Sequence, residues 1–556
     1  MMKKIILLIA LASASSFTFA SKMNVIVLNF DDLGAGWLPS YSEKLSVESF
    51  DPEMHERFSR IHDLYRKNPE MALEATSKSA PFIDSLAKQG MTFNRCFSSS
   101  NLCSPSRQGL ITGKYQERWG VCDLRSAIVE GLPKDVKILP AYFKDAGYST
   151  ALIGKWHIST HDQEYFKKLE KIRKENPNPE QEYFSTEGRN NKIPIDNIVT
   201  AAERRAQSSA AKGENPIDLG FDYYYGFNSS HSRFYFAADL WENYDEVPMR
   251  PEGEFLTELM TSKAINFIEK SLKSDKPFMM YYAVMAVHDR LDPTPLKYSK
   301  DFKKYGNYHE LYCSHIRAVD ESLKEIFDFL EKYNQHENTI VVITGDNGSN
   351  SIILPSNAPF RGGKGTAWLG GSSVPFIMYV PKQKAAMSHS DALVSQLDIF
   401  PTMMDLAGIE LPKDLDGESL VNIYKGKTKD TKREYFKSLL INGTNWFLDP
   451  VLGNEPKDES FAPLAAFAVN QERKVSMIIG TINPNLYEKL PEGRPAQKLL
   501  FDIREDPLQM NNIIDQNPDL SKKMLADLKA WLETLPQPLE IKTNHKKDSF
   551  KVLNSL

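Results

Sequence analysis

Five short runs along the chain are apolar without alternation: MNVIVLNF (23–30), YSTALIG (148–154), PFMMYYAVMAV (277–287), NTIVVIT (338–344) and VPFIMYV (374–380). Runs this short, rich in β-branched and aromatic residues, predict strands buried on both faces, the kind found in mainly parallel sheets covered by helices. Between them apolar residues return at helical spacing in PFIDSLAKQG (81–90), TELMTSKAINFIEKSLK (257–273) and YCSHIRAVDESLKEIFDFLEKY (312–333), with Gly90 placed to end the first. The alternation predicts an α/β layered domain. Two stretches break the rhythm. Residues 40–78 carry Phe50, Met54, Phe58, Ile61, Leu64 and Tyr65 at helical spacing, which predicts helices on the rim. Residues 159–215 are densely charged (KKLEKIRKENPNPEQE) and read as a solvated excursion, with a lid as the alternative.

The first twenty residues follow another pattern. Two lysines precede an apolar run from Ile5 to Ala12, then a Ser/Ala-rich stretch and Thr18-Phe19-Ala20, the order of a secretory signal peptide. The run is too short to span a bilayer, and no later segment is apolar enough to do so. Residues 1–20 are therefore set apart from the fold, and the mature chain is expected to be exported, to a bacterial periplasm or the medium. A length of 556 residues, 41% of them hydrophobic, suits one large domain and a smaller one. The net charge of −5 argues against a nucleic-acid-binding protein but permits an anionic substrate in a locally cationic cleft. Four cysteines are too few for a disulfide framework; Cys96, Cys122 and Cys313 read as small buried hydrophobes, with a Cys96–Cys122 bridge left open.

In parallel sheets ligands bind outside the carboxyl ends of the strands. The first run ends in Asp31-Asp32, the second in Lys155-Trp156-His157, the third in His288-Asp289-Arg290 and the fourth in Gly345-Asp346-Asn347-Gly348. Asp31, Asp32, Asp346 and Asn347 offer hard oxygen ligands, and no Cys pair or His-x-x-x-His suggests zinc, so Ca²⁺ or Mg²⁺ is expected. Lys155, His157, His288 and Lys364 would surround such an ion with cations and proton donors, a setting for an oxyanion. In NLCSPSRQGLITG (101–113), Ser104-Pro105 reads as the N-cap and first residue of a helix that Gly113 stops. Cys103 then lies at a helix N-terminus, where a thiolate is a credible nucleophile, although a plain thiolate is a poor match for a hard metal.

The segment Leu102-Cys103-Ser104-Pro105-Ser106-Arg107, continuing Leu110-Ile111-Thr112-Gly113, resembles the first signature of the formylglycine-dependent sulfatases, in which the cysteine of C-x-P-x-R is oxidised to an aldehyde. Gly147 to His157 resembles the second signature. Asp31-Asp32-Leu33-Gly34, Gly220-Phe221-Asp222, Arg361-Gly362-Gly363-Lys364-Gly365 and Asp398-Ile399-Phe400-Pro401-Thr402 extend the likeness over most of the chain. It implies an alkaline-phosphatase-like α/β sandwich over residues 21–433 and a C-terminal subdomain over 434–556, with an antiparallel sheet and a closing helix at Leu520 to Leu535. It also implies that Asp31, Asp32, Asp346, Asn347 and the modified Cys103 hold Ca²⁺, in preference to Mg²⁺. One hydroxyl of the hydrated aldehyde would attack sulfur, Arg107 holding its charge and Lys155 and Lys364 clamping sulfate oxygens. His288 would protonate the leaving alcohol, and His157 would take a proton from the second hydroxyl to expel sulfate.

Three positions depart from the family pattern: Asn101, expected to matter little, and Leu369 and Ser373, which replace an acidic residue and an arginine. His231 and Arg233, in NSSHSRFYF, are the first candidates for substrate contacts, followed by Arg290 and Arg361. The resemblance implies a sulfated glycan as substrate and a formylglycine-generating enzyme as maturation partner. Two other readings stay open: a phosphate or phosphonate ester hydrolase on the same scaffold, and a sugar-binding protein without turnover.

Overall fold

A computed structural model describes residues 22–122, 130–185, 192–249, 253–350, 353–441, 464–472, 474–480 and 497–536. The segment 1–20, read above as a signal peptide, lies outside them. The central sheet has eleven strands. Its main members are β1 (Asn24–Phe30), β2 (Met91–Phe97), β3 (Ser149–Lys155), β4 (Tyr223–Phe227), β5 (Phe278–Val284), β6 (Thr339–Gly345), β7 (Phe376–Tyr379) and β8 (His389–Ser395). The order β4-β3-β5-β1-β6 is parallel throughout. β7 then runs antiparallel to β6, β2 antiparallel to β7, and β8 parallel to β2. The fifth apolar run is thus an antiparallel member, and it splits at Pro375 into Ser373–Val374 and Phe376–Tyr379 because proline has no amide to donate.

Parallel register brings the carboxyl ends to one edge. Phe30 lies opposite both Gly345 and Val284, and Lys155 opposite Phe227, so the loops that follow β1, β3, β5 and β6 open side by side. Every residue of β1, β5 and β6 is buried, as expected of strands covered on both faces. Ile26, Leu28, Met280 and Ile343 face the helices Leu256–Lys273 and Gly306–Lys332. Val25, Val27, Met279 and Val342 face Leu110, Ile111, Phe143 and Met403 on the other side. Each such side chain contributes about 1.5–3 kcal/mol when fully buried.

Both interrupting segments are folded. Residues 40–78 contain the helices Pro52–Ile61, Asp63–Lys67 and Met71–Thr76, which bury Phe50, Met54, Phe58 and Tyr65 in the same core while Ile61 and Leu64 stay exposed. Residues 159–215 form the helices Gln163–Glu175 and Ile198–Ser208 and the strand pair Glu182–Ser185 and Lys192–Ile195, with Leu169, Ile193 and Ala206 buried. That corrects the expectation of a merely solvated excursion: few but well-spaced apolar residues suffice to dock it. Near the C-terminus, strands Tyr435–Ile441, Leu464–Asn470, Val475–Gly480 and Gln497–Asp502 form an antiparallel sheet. Met524, Leu528 and Leu532 of helix Pro518–Thr534 cover one face, and Phe436, Phe467 and Phe501 on the other pack against Phe97, Phe360 and Trp368. All four cysteines are buried and none forms a disulfide, so Cys96 and Cys122 are not bridged.

Candidate active site

The helix bearing the first motif runs Cys103–Thr112, with Leu102 as N-cap and Gly113 as a left-handed C-cap at φ 67°. The expected Ser104 N-cap is corrected by two residues; its buried hydroxyl has no hydrogen-bond partner. Cys103 occupies the first helical position and is 1% exposed. Burial pushes its thiol up despite Lys155 and Lys364, so a free thiolate is not favoured there. Its Sγ lies 3.4 Å from His157 Nδ1.

Around Cys103 the strand ends assemble three acid–base pairs. Lys155 Nζ meets Asp31 Oδ2 at 2.7 Å, Lys364 Nζ meets Asp32 Oδ1 at 2.8 Å, and Arg107 donates from Nε to Asp346 Oδ2 at 2.9 Å. Arg107 also donates from Nη1 to the Lys155 carbonyl at 3.1 Å, which ties the first motif to the second. Burial and the neighbouring carboxylates of Asp346 and Asp32 push Asp31 up to about 8, against the pull of Lys155 and Arg107. Asp346 is held low, because Arg107 and Lys155 outweigh its burial. Burial, reinforced by the two lysines and by Arg107 at His157, keeps His157 and His288 well below the usual imidazole range. Asp32 and His157 adopt φ of 60° and 53°, a left-handed backbone uncommon for residues other than glycine and frequent at functional sites.

His288 Nε2 lies 3.2 Å from Lys364 Nζ and 3.7 Å from Asp32 Oδ2, while its Nδ1 is 2.5 Å from the Asp289 carbonyl oxygen. Carboxylate oxygens of Asp31 and Asp32 and a His288 nitrogen lie within 4.8 Å of one another. Asn347 donates from Nδ2 to Asp32 Oδ1 at 2.8 Å, and its buried Oδ1 has no hydrogen-bond partner. An orphaned amide oxygen among three carboxylates is what a hard cation would satisfy, so the donor set fits Ca²⁺ or Mg²⁺ chemistry.

The substrate-side candidates divide. His231 is exposed, and its ring lies parallel to that of His288 with centroids 5.8 Å apart. Arg233 donates from Nη1 to Asp196 Oδ1 at 2.7 Å, and Arg290 is exposed. Arg361 is drawn elsewhere: it stands 3.5 Å from Asp51 and 3.8 Å from Glu53 and stacks over Trp368. Sequence reasoning also undervalued Asn101. Its Nδ2 donates to the Thr366 carbonyl at 2.8 Å and its own carbonyl accepts from Gly365 at 3.0 Å, clasping the loop that carries Lys364. Gln396, not singled out in the sequence, accepts from Ser106 Oγ at 2.7 Å and donates to the Gly345 carbonyl, joining the helix to the end of β6. Gly348 permits a close approach to Gly370, whose carbonyl oxygen a Cβ would meet at 1.8 Å.

A sheet that gathers acids, lysines and histidines at its carboxyl edge around a helix N-terminus defines a hydrolase of oxyanion esters. A sequence model described as Sulfatase matches residues 56–409, and the chain belongs to that family. It is accordingly a sulfuric ester hydrolase. An uncharacterised sulfatase, YdeN of Escherichia coli, is 29% identical over 551 residues, covering 97% of this chain and 90% of that protein. N-acetylgalactosamine-6-sulfatase of Mus musculus is 30% identical over 391 residues, covering 65% of this chain and 64% of its own length. The crystal structure of Ps i-CgsB in complex with k-i-k-neocarrahexaose superposes with a TM-score of 0.67 at 20% identity, covering 96% of this chain and 97% of that one. Among the described residues no helix is long and apolar enough to cross a membrane.

Proposed function

We propose that the protein is exported and removes sulfate from a carbohydrate, with Cys103 oxidised to formylglycine and Ca²⁺ held by Asp31, Asp32, Asp346, Asn347 and the modified residue. The observation that carries this reading is the buried Cys103, 3.4 Å from His157 and set within the field of Lys155, Lys364, Asp31 and Asp346, beside the carboxylates of the Asp31, Asp32 and His288 cluster. The glycan-binding neighbour and the N-acetylgalactosamine sulfatase support a sugar substrate. The N-terminal pattern of residues 1–20 supports export.

Metal and modified side chain together would supply a nucleophilic oxygen at neutral pH, which an unionised thiol does not. The remaining work falls to this chain's own groups. Asp31 and Asp32 would help hold the cation, and Lys155 and Lys364, whose ammonium groups lie on those carboxylates, hold the sulfate oxygens and absorb their charge. Arg107, locked on Asp346, keeps a fixed positive charge beside position 103. His288, with Nε2 toward Lys364 and Nδ1 on a backbone carbonyl, is neutral beside the two lysines alone; a bound anionic ester offsets their charge, and the ring, then protonated from solvent, delivers that proton to the departing alcohol oxygen. His157 takes a proton at position 103 in the second half of the cycle, and its neutral ring suits a base.

Mass spectrometry of the peptide containing Cys103, from protein made together with a maturation enzyme, is the direct test. Oxidation of thiol to aldehyde lowers the mass by about 18 Da. An unmodified thiol, under conditions that convert a control sulfatase, overturns the reading and favours a binding protein. Turnover of phosphate esters in preference to matched sulfate esters would instead favour the phosphatase alternative. Sequencing the mature N-terminus from a periplasmic fraction tests export.

A further inference from the structure

The imidazole of His288 is engaged at both nitrogens, and both neighbours require the same tautomer. Nδ1 lies 2.5 Å from the Asp289 carbonyl oxygen, which can only accept, so the proton sits on Nδ1. Nε2 lies 3.2 Å from Lys364 Nζ, whose ammonium can only donate, so Nε2 presents its lone pair there. The side chain is still 15% exposed, which leaves the ring room to turn if the Nδ1 bond is lost. A half-turn about the bond to the ring would put carbon Cε1 where Nε2 stood, and a carbon delivers no proton.

The carbonyl that prevents this belongs to a residue whose own side chain is fastened twice. Asp289 Oδ1 accepts from the Tyr312 hydroxyl at 3.1 Å, and Oδ2 accepts from Asn350 Nδ2 at 2.8 Å. Tyr312 comes from the helix Gly306–Lys332, is buried, and stacks on Trp37 with ring centroids 4.9 Å apart and planes 15° apart. Asn350 is buried on the loop after β6 that also carries Asn347. Before Asp289 the chain is pinned by its backbone: the Val287 amide donates to the Asp31 carbonyl at 2.7 Å and the His288 amide to the Met285 carbonyl at 2.9 Å. After it Arg290 is exposed, so the Asp289 carboxylate supplies the fixed point on that side of the carbonyl.

We propose that Asp289 is the positioning residue of the proton donor: anchored by Tyr312 and Asn350, it aims its own carbonyl at His288 Nδ1 and so keeps Nε2 toward the departing alcohol. The inference rests on the reading of His288 as the group that protonates that alcohol. With the ester bound, the ring gains a proton at Nε2. As the bond from sulfur to the alcohol oxygen breaks, its electron pair stays on that oxygen and takes the Nε2 proton. The ring returns to its neutral form with the other proton still on Nδ1.

The test is a leaving-group series, read as kcat/KM with the matured full-length enzyme. It runs from para-nitrophenyl sulfate through sulfates of less acidic phenols to the sulfated monosaccharide that the wild type turns over best. An acidic phenol departs without a proton, whereas a sugar hydroxyl needs one. Asp289→Ala should lower kcat/KM for the sugar sulfate by about 10- to 100-fold and for para-nitrophenyl sulfate by less than about 3-fold. The retained activity on the acidic phenol shows that the variant is folded. Tyr312→Phe keeps the carboxylate's charge and the ring stack on Trp37. It should show a smaller loss with the same selectivity, and should add nothing to Asp289→Ala, because it acts through that carboxylate. His288→Ala is the reference and should show the selectivity in full.

If His288→Ala is selective while Asp289→Ala lowers the whole series equally, or not at all, the positioning role is overturned and the reading of His288 stands. A selective loss in Asp289→Ala with none in Tyr312→Phe assigns the effect to the charge of Asp289 and also overturns the anchor. A His288→Ala variant without selectivity sinks the reading of His288, and this inference with it.

Discussion

Glu117 offers a test of how burial acts on a carboxyl group outside the pocket. It lies on the short turn after the Cys103 helix and is 1% exposed. Its Oε1 accepts the Leu439 amide at 3.0 Å and the Ser438 hydroxyl at 3.3 Å, both on the first strand of the C-terminal sheet, while Oε2 has no hydrogen-bond partner. Burial is the dominant influence and raises the carboxyl from 4.5 to about 8, although those two hydrogen bonds lower it. Between these values the folded protein keeps a proton that the unfolded chain releases. The associated stability is complete below pH 4.5 and is lost as the pH rises through 8. At full strength the linkage is worth about 5 kcal/mol, and about 2–5 kcal/mol once relaxation around a buried charge is allowed for. Glu117→Gln keeps an oxygen for Leu439 and removes the titration. Urea denaturation followed by tryptophan fluorescence at pH 5, 6.5, 7.5 and 8.5 should show the variant gaining on the wild type by that amount across the series. A stability difference that does not change with pH would refute the argument.

Removing the Asn101 side chain as Asn101→Ala strands the Thr366 carbonyl; a loss of about 1–3 kcal/mol in unfolding free energy is expected, with a lower kcat for sulfate esters as the Lys364 loop slackens. Treatment with EGTA should lower the melting temperature and restoring Ca²⁺ should recover it, since an ion at 100 times its Kd stabilises by about 2.7 kcal/mol; an unchanged melting temperature would speak against the proposed donor set. Leu528→Ala, beneath the C-terminal sheet, should destabilise by about 2–5 kcal/mol in the same denaturation assay.

Five of the main strands and the three chosen helices were legible in the sequence because burial on both faces leaves an unbroken apolar run and a helix face leaves its own spacing. The polar strand β8 (HSDALVS) and the mixed β2 (MTFNRCF) carry no such run; backbone pairing with neighbours far along the chain holds them in the sheet. In the pocket, Asp31, Asp32, Asp346, Asn347, Lys155, His157 and His288 announced themselves by following strand ends. Asp196, which engages the candidate Arg233, did not, because it lies in a charge-rich segment whose helices are visible only once Leu169, Ile193 and Ala206 are seen to be buried. Arg361 misled for the opposite reason: it adjoins the motif that carries Lys364, but Asp51 and Glu53 arrive from the segment 40–78 to claim it.

Cys103 was described above as a side chain that water scarcely reaches. Seen in time, that burial sets a deadline. The proposed maturation enzyme would have to reach this side chain, and the closed fold leaves it 1% exposed. If position 103 is oxidised as proposed, the oxidation has to be finished while the chain is still open, before β1, β3 and β6 bring their ends together over it. On that reading a molecule that folds first would be committed to remaining a thiol, well folded and without its nucleophile. The share of active protein in any preparation would then record a race between maturation and folding, decided molecule by molecule and not correctable afterwards without unfolding.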